Sequence, residues 1–204
     1  MSHKFPPRFK TEAEATALNL RRQLGLTVEH ACPARQVTGL YGITVTAAGT
    51  LEREIILDAL RAEFPDQVRV RQQLALVANA TTEFSAIVAI VRDHKMILYN
   101  GNNSPARQES DIMHEVAHIL RGHKGDCLQL NADISLRVHN EDHEQEAKWL
   151  GATLQIPEEG ILRHVCAGRT SEEIAAIYGA SVQMANYRRR ILGIDIRAAR
   201  RKRF

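Results

Sequence analysis

The chain has 204 residues and a net charge of +3; 44% of its residues are hydrophobic and 25% charged, a composition typical of a globular protein. Its length suits one domain with at most a small appendage. No apolar run approaches the roughly 20 residues that cross a bilayer, and the first ten residues have no apolar core. We therefore expect neither a membrane protein nor a secretory signal.

The charge is unevenly distributed along the chain. Residues 187–204 contain eight basic side chains and one acidic side chain, whereas residues 1–186 contain 19 basic and 23 acidic ones. This asymmetry indicates either an anionic partner for the C-terminal end or a solubilising tail. The cysteines Cys32, Cys127 and Cys166 are scattered, which argues against a disulfide framework and predicts a cytoplasmic protein.

Local sequence signals define the elements of the first half of the chain. Thr11 and Glu14 have the spacing of a capping box that opens a helix, and Gly25 follows the end of that helix. Residues 67–80 fit a helix and a strand equally well. The predicted elements are a helix over Thr11–Leu24, a short helix over Pro33–Leu40, a strand over Ile43–Thr46 and a helix over Leu51–Phe64.

The middle of the chain predicts a β-hairpin followed by two helices. Two apolar runs are separated by the polar residues 92–95, which favours an antiparallel hairpin. Ser104 and Pro105 then suit the N-cap and the first residue of a helix. The predicted elements are strands over Phe84–Val91 and Met96–Tyr99, a helix from Pro105 to Gly122, and a helix over Glu141–Leu154.

The strongest chemical signal is the run His114-Glu115-Val116-Ala117-His118. Residues four apart on a helix lie on the same face, so both imidazoles can reach one metal ion. Zinc lowers the pKa of bound water to about 7, and Glu115 is placed to accept the proton. Ile112, Val116 and Ile119 form a separate buried stripe. We therefore predict a catalytic zinc ion with Glu115 as general base.

A zinc hydrolase site needs a third protein ligand. The pattern H-E-x-x-H-x-x-G-x-x-H would require Gly at position 121 and His at position 124, but the chain has Arg121 and Lys124. The other option is a carboxylate from the helix predicted over Glu141–Leu154. Four acids lie in the first turns of that helix, any one of which could complete the set: Glu141, Asp142, Glu144 and Glu146.

From about Ile43 onward, the sequence resembles the ImmA/IrrE family of zinc metallopeptidases. The resemblance implies an α+β, compact thermolysin-like (gluzincin-type) domain with a small antiparallel sheet, one zinc ion, and Glu146 as the third ligand. Lys148 and Leu150 depart from the family pattern, and Glu144 is kept as the alternative ligand. The matching segments are Ile97–Asn100, Ser104–Gln108, His114–His118, Arg121–His123, Glu146-Ala147 and Leu150–Pro157.

A peptidase site also needs a donor for the oxyanion, usually Tyr, His or Arg. Spacing does not choose among the candidates, which are Tyr99, His123, His139 and His143. Carboxylates that orient the ligand histidines are expected as well. The candidates near enough in sequence are Asp111, Asp126 and Asp133.

The C-terminal segment contains a helix-turn-helix-like pattern. Thr170 and Glu173 form a capping box that opens two short helices split at Gly179, the position of the turn. In the ImmA/IrrE family a similar stretch packs against the catalytic unit. Direct DNA binding is therefore a weaker expectation than a structural or substrate-docking role. The buried face of the second helix is expected to consist of Met184, Tyr187 and Ile191.

We therefore expect an N-terminal helical region over residues 1–42, a zinc metallopeptidase domain over residues 43–160, and a helix-turn-helix-like segment with a basic tail over residues 161–204. Resemblance to the family implies an endopeptidase that cleaves a helix-turn-helix transcriptional repressor and thereby derepresses stress, phage or mobile-element genes. The alternative is a DNA-binding or repressor-binding regulator whose metal site is not catalytic. A related alternative is a component of a toxin–antitoxin pair, in which the repressor is the antitoxin.

Overall fold

The computed structural model describes residues 5–47, 85–91, 94–123, 127–129, 134–137 and 141–201. The helix expected over Leu51–Phe64 and the ambiguous residues 67–80 lie outside these ranges. Within them the chain forms eight helices and five strands, which confirms the α+β class. The helices are α1 (Phe9–Gln23), α2 (Ala34–Leu40), α3 (Pro105–Leu120), α4 (Glu141–Gln155), α5 (Glu158–Cys166), α6 (Ser171–Tyr178), α7 (Val182–Ile191) and α8 (Ile194–Arg201). The strands are β1 (Thr44–Ala47), β2 (Ala86–Val91), β3 (His94–Tyr99), β4 (Cys127–Gln129) and β5 (Ile134–Arg137).

The described strands form one sheet in the order β1-β3-β2-β5-β4. The predicted hairpin is confirmed, because β2 and β3 pair antiparallel with Ile87 opposite Leu98. The expectation of an antiparallel sheet is wrong, because β1 runs parallel to β3 with Val45 opposite Ile97. Residues 48–85 separate β1 from the hairpin, and a connection of that length permits a parallel crossover. The sheet is therefore mixed.

One hydrophobic core joins the sheet to α1, α3 and α4. Helix α3 contributes Ile112, Met113, Val116 and Ala117 to this core, all of them fully buried. Arg21 of α1 ties the N-terminal helix to α4 by donating to the carbonyl oxygens of Leu154 and Gln155, at 2.7 and 2.9 Å. The last carbonyls of a helix have no partner within the helix, so this buried guanidinium caps α4.

The start of α1 differs from the predicted capping box. The helix begins at Phe9, and no side chain caps it. The carboxylate of Glu14 instead accepts hydrogen bonds from Arg188 and from the backbone N–H of Glu158. The Glu14 side chain, which the predicted capping box requires, is thus bonded to distant residues instead. The second predicted box, between Thr170 and Glu173, is confirmed.

Helices α5–α8 enclose a second hydrophobic core, which includes Ile161, Ile174 and Ile194. The predicted buried face of α7 is wrong, because Ala185 and Arg188 are its fully buried residues. Arg188 tolerates burial because its guanidinium donates to the carbonyl oxygen of Ile156 and forms an ion pair with Glu14. Met184, Tyr187 and Ile191 are each only partly buried.

In the part of the chain that the structure describes, no helix combines the length and the apolar character that crossing a membrane would need.

Candidate metal centre

Helix α3 presents His114 and His118 side by side, as the spacing of four residues predicts. Their rings meet edge to face with centroids 4.7 Å apart, and their Nε2 atoms are 3.1 Å apart. His118 is buried, whereas the His114 side chain is 29% exposed. One imidazole is therefore held in the core, and the other borders solvent.

Helix α4 brings the carboxylate of Glu144 to this pair. Its Oε2 lies 2.9 Å from His114 Nε2, and its Oε1 lies 3.2 Å from His118 Nε2. Burial alone would raise the pKa of Glu144, but hydrogen bonds to the two histidines outweigh it and hold the pKa below its ordinary value. Glu144 is therefore an anion at neutral pH.

The three side chains fit a metal ion. One ligand atom from each of His114, His118 and Glu144 can be chosen so that all lie within 4.8 Å of one another. Ligand atoms placed about 2.0–2.1 Å from a tetrahedral zinc ion lie roughly 3.3 Å apart, close to the separations found here. When both rings are neutral and carry their protons on Nδ1, two nitrogen lone pairs and a carboxylate face one another, an arrangement that a cation stabilises.

Glu146, which the family resemblance implies as third ligand, makes different contacts in the structure. Its Oε2 accepts a hydrogen bond from Arg121 Nε at 2.9 Å and lies 3.3 Å from His123 Nε2. Burial would raise its pKa, but the hydrogen bonds from His123 and Arg121 lower it overall. Residues two apart on a helix point in different directions, so Glu144 and Glu146 do not both face the same pair on α3.

His123 contacts His118, the buried histidine of the pair. Its Nδ1 is 2.9 Å from Nδ1 of His118, and its ring stacks on His143 with centroids 4.3 Å apart. Burial lowers the pKa of His123, which favours the neutral ring. If His118 Nδ1–H donates to His123, then His123 Nε2–H can donate to Glu146. Hydrogen bonds of this kind fix the orientation of a ligand histidine.

Glu115 is buried beside a cleft of about 530 Å³. His114, Glu144 and Gly151 line the same cleft. Glu115 and the partly exposed His114 therefore line one space, and a general base must lie within reach of the bound substrate.

The other predicted site residues have separate environments. The hydroxyl of Tyr99 accepts a hydrogen bond from Arg35 Nη2 at 2.7 Å. Asp111 pairs with Arg107 and accepts a hydrogen bond from Asn103, while burial raises its pKa. His139, Asp126 and Asp133 lie outside the described residues.

Sequence reasoning gave no role to Gly151, although this glycine sets the spacing of the two metal-centre helices. A Cβ atom at Gly151 would lie 3.3 Å from Cα and N of His114 and from the carbonyl oxygen of Met113. The absence of a side chain therefore lets α4 approach α3 at the first histidine. A glycine within a helical pattern is the available signal, because it costs about 1 kcal/mol against alanine and usually has a packing reason.

One family profile matches the segment that contains the candidate metal centre. The profile of the Peptidase M78 family, described as the IrrE N-terminal-like domain, matches residues 58–190. A separate comparison with curated proteins gives no match. The matched segment is well over half of the chain and contains both helices of the candidate metal centre. The chain therefore belongs to the Peptidase M78 (ImmA/IrrE) family and is a metallopeptidase-like protein.

Proposed function

We propose that this chain is a zinc-dependent endopeptidase in which His114, His118 and Glu144 hold the zinc ion and Glu115 is the general base. The observation that carries the proposal is the convergence of three ligand atoms within 4.8 Å, next to a buried glutamate at an open cleft. Two histidines and a glutamate with one free position are the donor set of catalytic zinc in many peptidases.

Each residue has a distinct role in this proposal. When bound, zinc supplies Lewis acidity, which polarises the carbonyl of a peptide bond and makes water more acidic. Glu115 accepts a proton from the attacking water and delivers it to the nitrogen of the leaving amine. Glu146 holds Arg121 and His123, and His123 orients His118. Glu146 is thus a positioning residue, and the alternative is that it binds the metal itself.

The substrate is proposed to be a helix-turn-helix transcriptional repressor in the cytoplasm, whose cleavage derepresses stress, phage or mobile-element genes. The family membership supports a protein substrate. A thermolysin-like layout would agree with two helices that carry the candidate ligands and pack on each other, one of which, α3, also packs on the sheet. Helices α6 and α7, joined at Gly179 with a φ of +63°, give a helix-turn-helix-like pair that could dock against such a partner.

The experiment compares the wild-type chain with Glu115→Gln, which removes the base and keeps all three ligands. Glu159→Gln, an exposed acid on α5, is the control for the lost charge. Each protein is incubated with lysate of its host, and new protein N-termini are labelled and identified by mass spectrometry. We expect new N-termini with the wild type and with Glu159→Gln, and none with Glu115→Gln at unchanged zinc content.

The same variant separates the proposal from a non-catalytic regulator, including one that acts in a toxin–antitoxin pair. If Glu115→Gln relieved repression in cells while the repressor stayed full length, binding of the repressor or of DNA would be the activity, and the peptidase proposal would be wrong.

A further inference from the structure

A second groove continues from the metal-centre cleft toward the C-terminal helices. It has a volume of about 880 Å³ and lies between the start of α3, the middle of α4 and helix α7. Four residues line both spaces: Arg107, Ser110, Lys148 and Met184. The two spaces therefore form one continuous depression, which begins at His114 and Glu115 and ends at α7.

This groove is positively charged. Arg107, Lys148 and Arg190 line it, and its lining contains no Asp or Glu among the described residues. The positive charge of Arg107 is balanced by its ion pair with Asp111, whose Oδ1 lies 2.9 Å from Arg107 Nε. Lys148 and Arg190 have no carboxylate partner in the described ranges, and both are exposed. Two uncompensated cations on different helices thus face a single groove.

The neighbouring arginines of α7 show that this arrangement is specific to Arg190. Arg188 points inward to Glu14, and Arg189 forms an ion pair with Asp195 and donates to Ser171. Three consecutive arginines on a helix project about 100° apart, so each has a different environment. Only the third of them, Arg190, lines the groove.

The groove also has a wall suited to a peptide chain. Tyr187 is half-buried in it, with the Lys148 ammonium 6.0 Å from the ring centroid. Asn103, Ser104 and Gln183 add side chains that both donate and accept hydrogen bonds. Such groups can form hydrogen bonds with a peptide backbone, and cations attract carboxylate side chains.

We propose that this groove binds an acidic segment of the polypeptide substrate, on one side of the bond that is cleaved, with Lys148 and Arg190 contacting its carboxylates. The inference rests on the proposed endopeptidase function, because a substrate chain that passes through the metal-centre cleft must continue beyond it. A nucleic acid is the less suitable occupant, since affinity for phosphates grows with the number of Lys and Arg contacts, and the described lining of the groove offers two free cations.

The test measures peptide binding by fluorescence anisotropy with the full chain carrying Glu115→Gln, so that no cleavage is needed. The probes are a labelled peptide of alternating Glu and Ala, its Gln-for-Glu analogue, and a labelled 12-nucleotide single-stranded DNA. Lys148→Gln and Arg190→Gln are introduced singly and together. Arg200→Gln, an exposed cation of α8 outside the groove, is the matched control. Circular dichroism checks that each variant is folded.

We expect the acidic peptide to bind at least tenfold more tightly than its Gln analogue. Each groove substitution should weaken acidic-peptide binding about fivefold and the pair about 20-fold, with little effect on the Gln analogue and no effect from Arg200→Gln. Equal weakening by Arg200→Gln would overturn the proposal, because the attraction would then be general. Tighter binding of the DNA than of the acidic peptide, lost in the groove variants, would assign the groove to nucleic acid instead.

These outcomes are separable from failure of the proposed function. If the acidic peptide binds as expected and the wild-type chain produces no new N-termini in lysate, the endopeptidase proposal fails and the groove remains a binding site. If the wild type cleaves proteins and the groove variants cleave and bind as it does, the groove proposal alone is wrong.

Discussion

Replacement of Arg188 by methionine should destabilise the fold far more than the same change at Arg189. Arg188 is fully buried, donates to the carbonyl oxygen of Ile156 at 2.9 Å, and pairs with Glu14 at 2.7 Å. Methionine keeps most of the apolar stem, so the change removes mainly the polar contacts. Burial lowers the pKa of Arg188, and the pairing with Glu14 opposes that shift.

The expected loss follows from these contacts. Breaking a fully buried ion pair costs about 3–5 kcal/mol, and a buried carbonyl without a partner costs about 1–3 kcal/mol. The Glu14 side chain is 21% exposed and can regain water, which reduces the first contribution. We expect Arg188→Met to lower the free energy of unfolding by about 2–4 kcal/mol, after the desolvation cost of the arginine is recovered.

Arg189→Met is the control, because its ion pair with the exposed Asp195 should contribute less than about 1 kcal/mol. Urea denaturation followed by circular dichroism gives both values. Losses that agree within about 0.5 kcal/mol would refute the reasoning, since they would mean that the buried contacts of Arg188 add nothing to the fold.

Three further substitutions test the packing and the electrostatics of the fold. In Gly151→Ala, the new methyl group would press on the His114 backbone, so we expect about tenfold weaker zinc binding with little change in the free energy of unfolding. Unchanged zinc affinity would contradict the role given to this glycine. In Gly160→Ala, the added methyl group would overlap the Val28 carbonyl oxygen, so we expect the free energy of unfolding to fall by at least about 2 kcal/mol. Thermal denaturation measures this loss, and a smaller loss would show that α5 can shift to accommodate the methyl group. Burial lowers the pKa of His164, so below about pH 6.5 the unfolded chain binds a proton more readily than the folded chain does. Acidification should therefore lower the free energy of unfolding of the wild type more than that of His164→Gln. Parallel pH profiles for the two proteins would refute this.

Residues close together in sequence carried the successful predictions. The spacing of His114 and His118, the polar break between β2 and β3, and the Thr170–Glu173 capping box each depend on contacts within a few residues. Such features can be predicted from sequence because they depend on residues within one helix turn or one hairpin.

Contacts between distant segments explain the differences. Glu14 does not close the predicted capping box, because its carboxylate is bonded to Arg188, 174 positions away in sequence. The same pairing allows a charged side chain to occupy a buried position of α7. The direction of β1 depends on a connection that local patterns do not define.

The choice between Glu144 and Glu146 is also a long-range property. It depends on the rotation of α4 about its axis, which the close contact at Gly151 and the bonds of Glu146 to Arg121 and His123 determine together. Both acids were candidates from the sequence, and spacing within α4 contains no information about which one faces α3.

Zinc content per chain, measured by mass spectrometry after dialysis against metal-free buffer, tests the proposed metal centre most directly. We expect one zinc ion per chain in the wild type, none in His114→Ala or Glu144→Ala, and a retained ion with about 10–100-fold weaker binding in Glu146→Ala. Loss of zinc in Glu146→Ala together with full retention in Glu144→Ala would contradict the assignment and return the third ligand to Glu146.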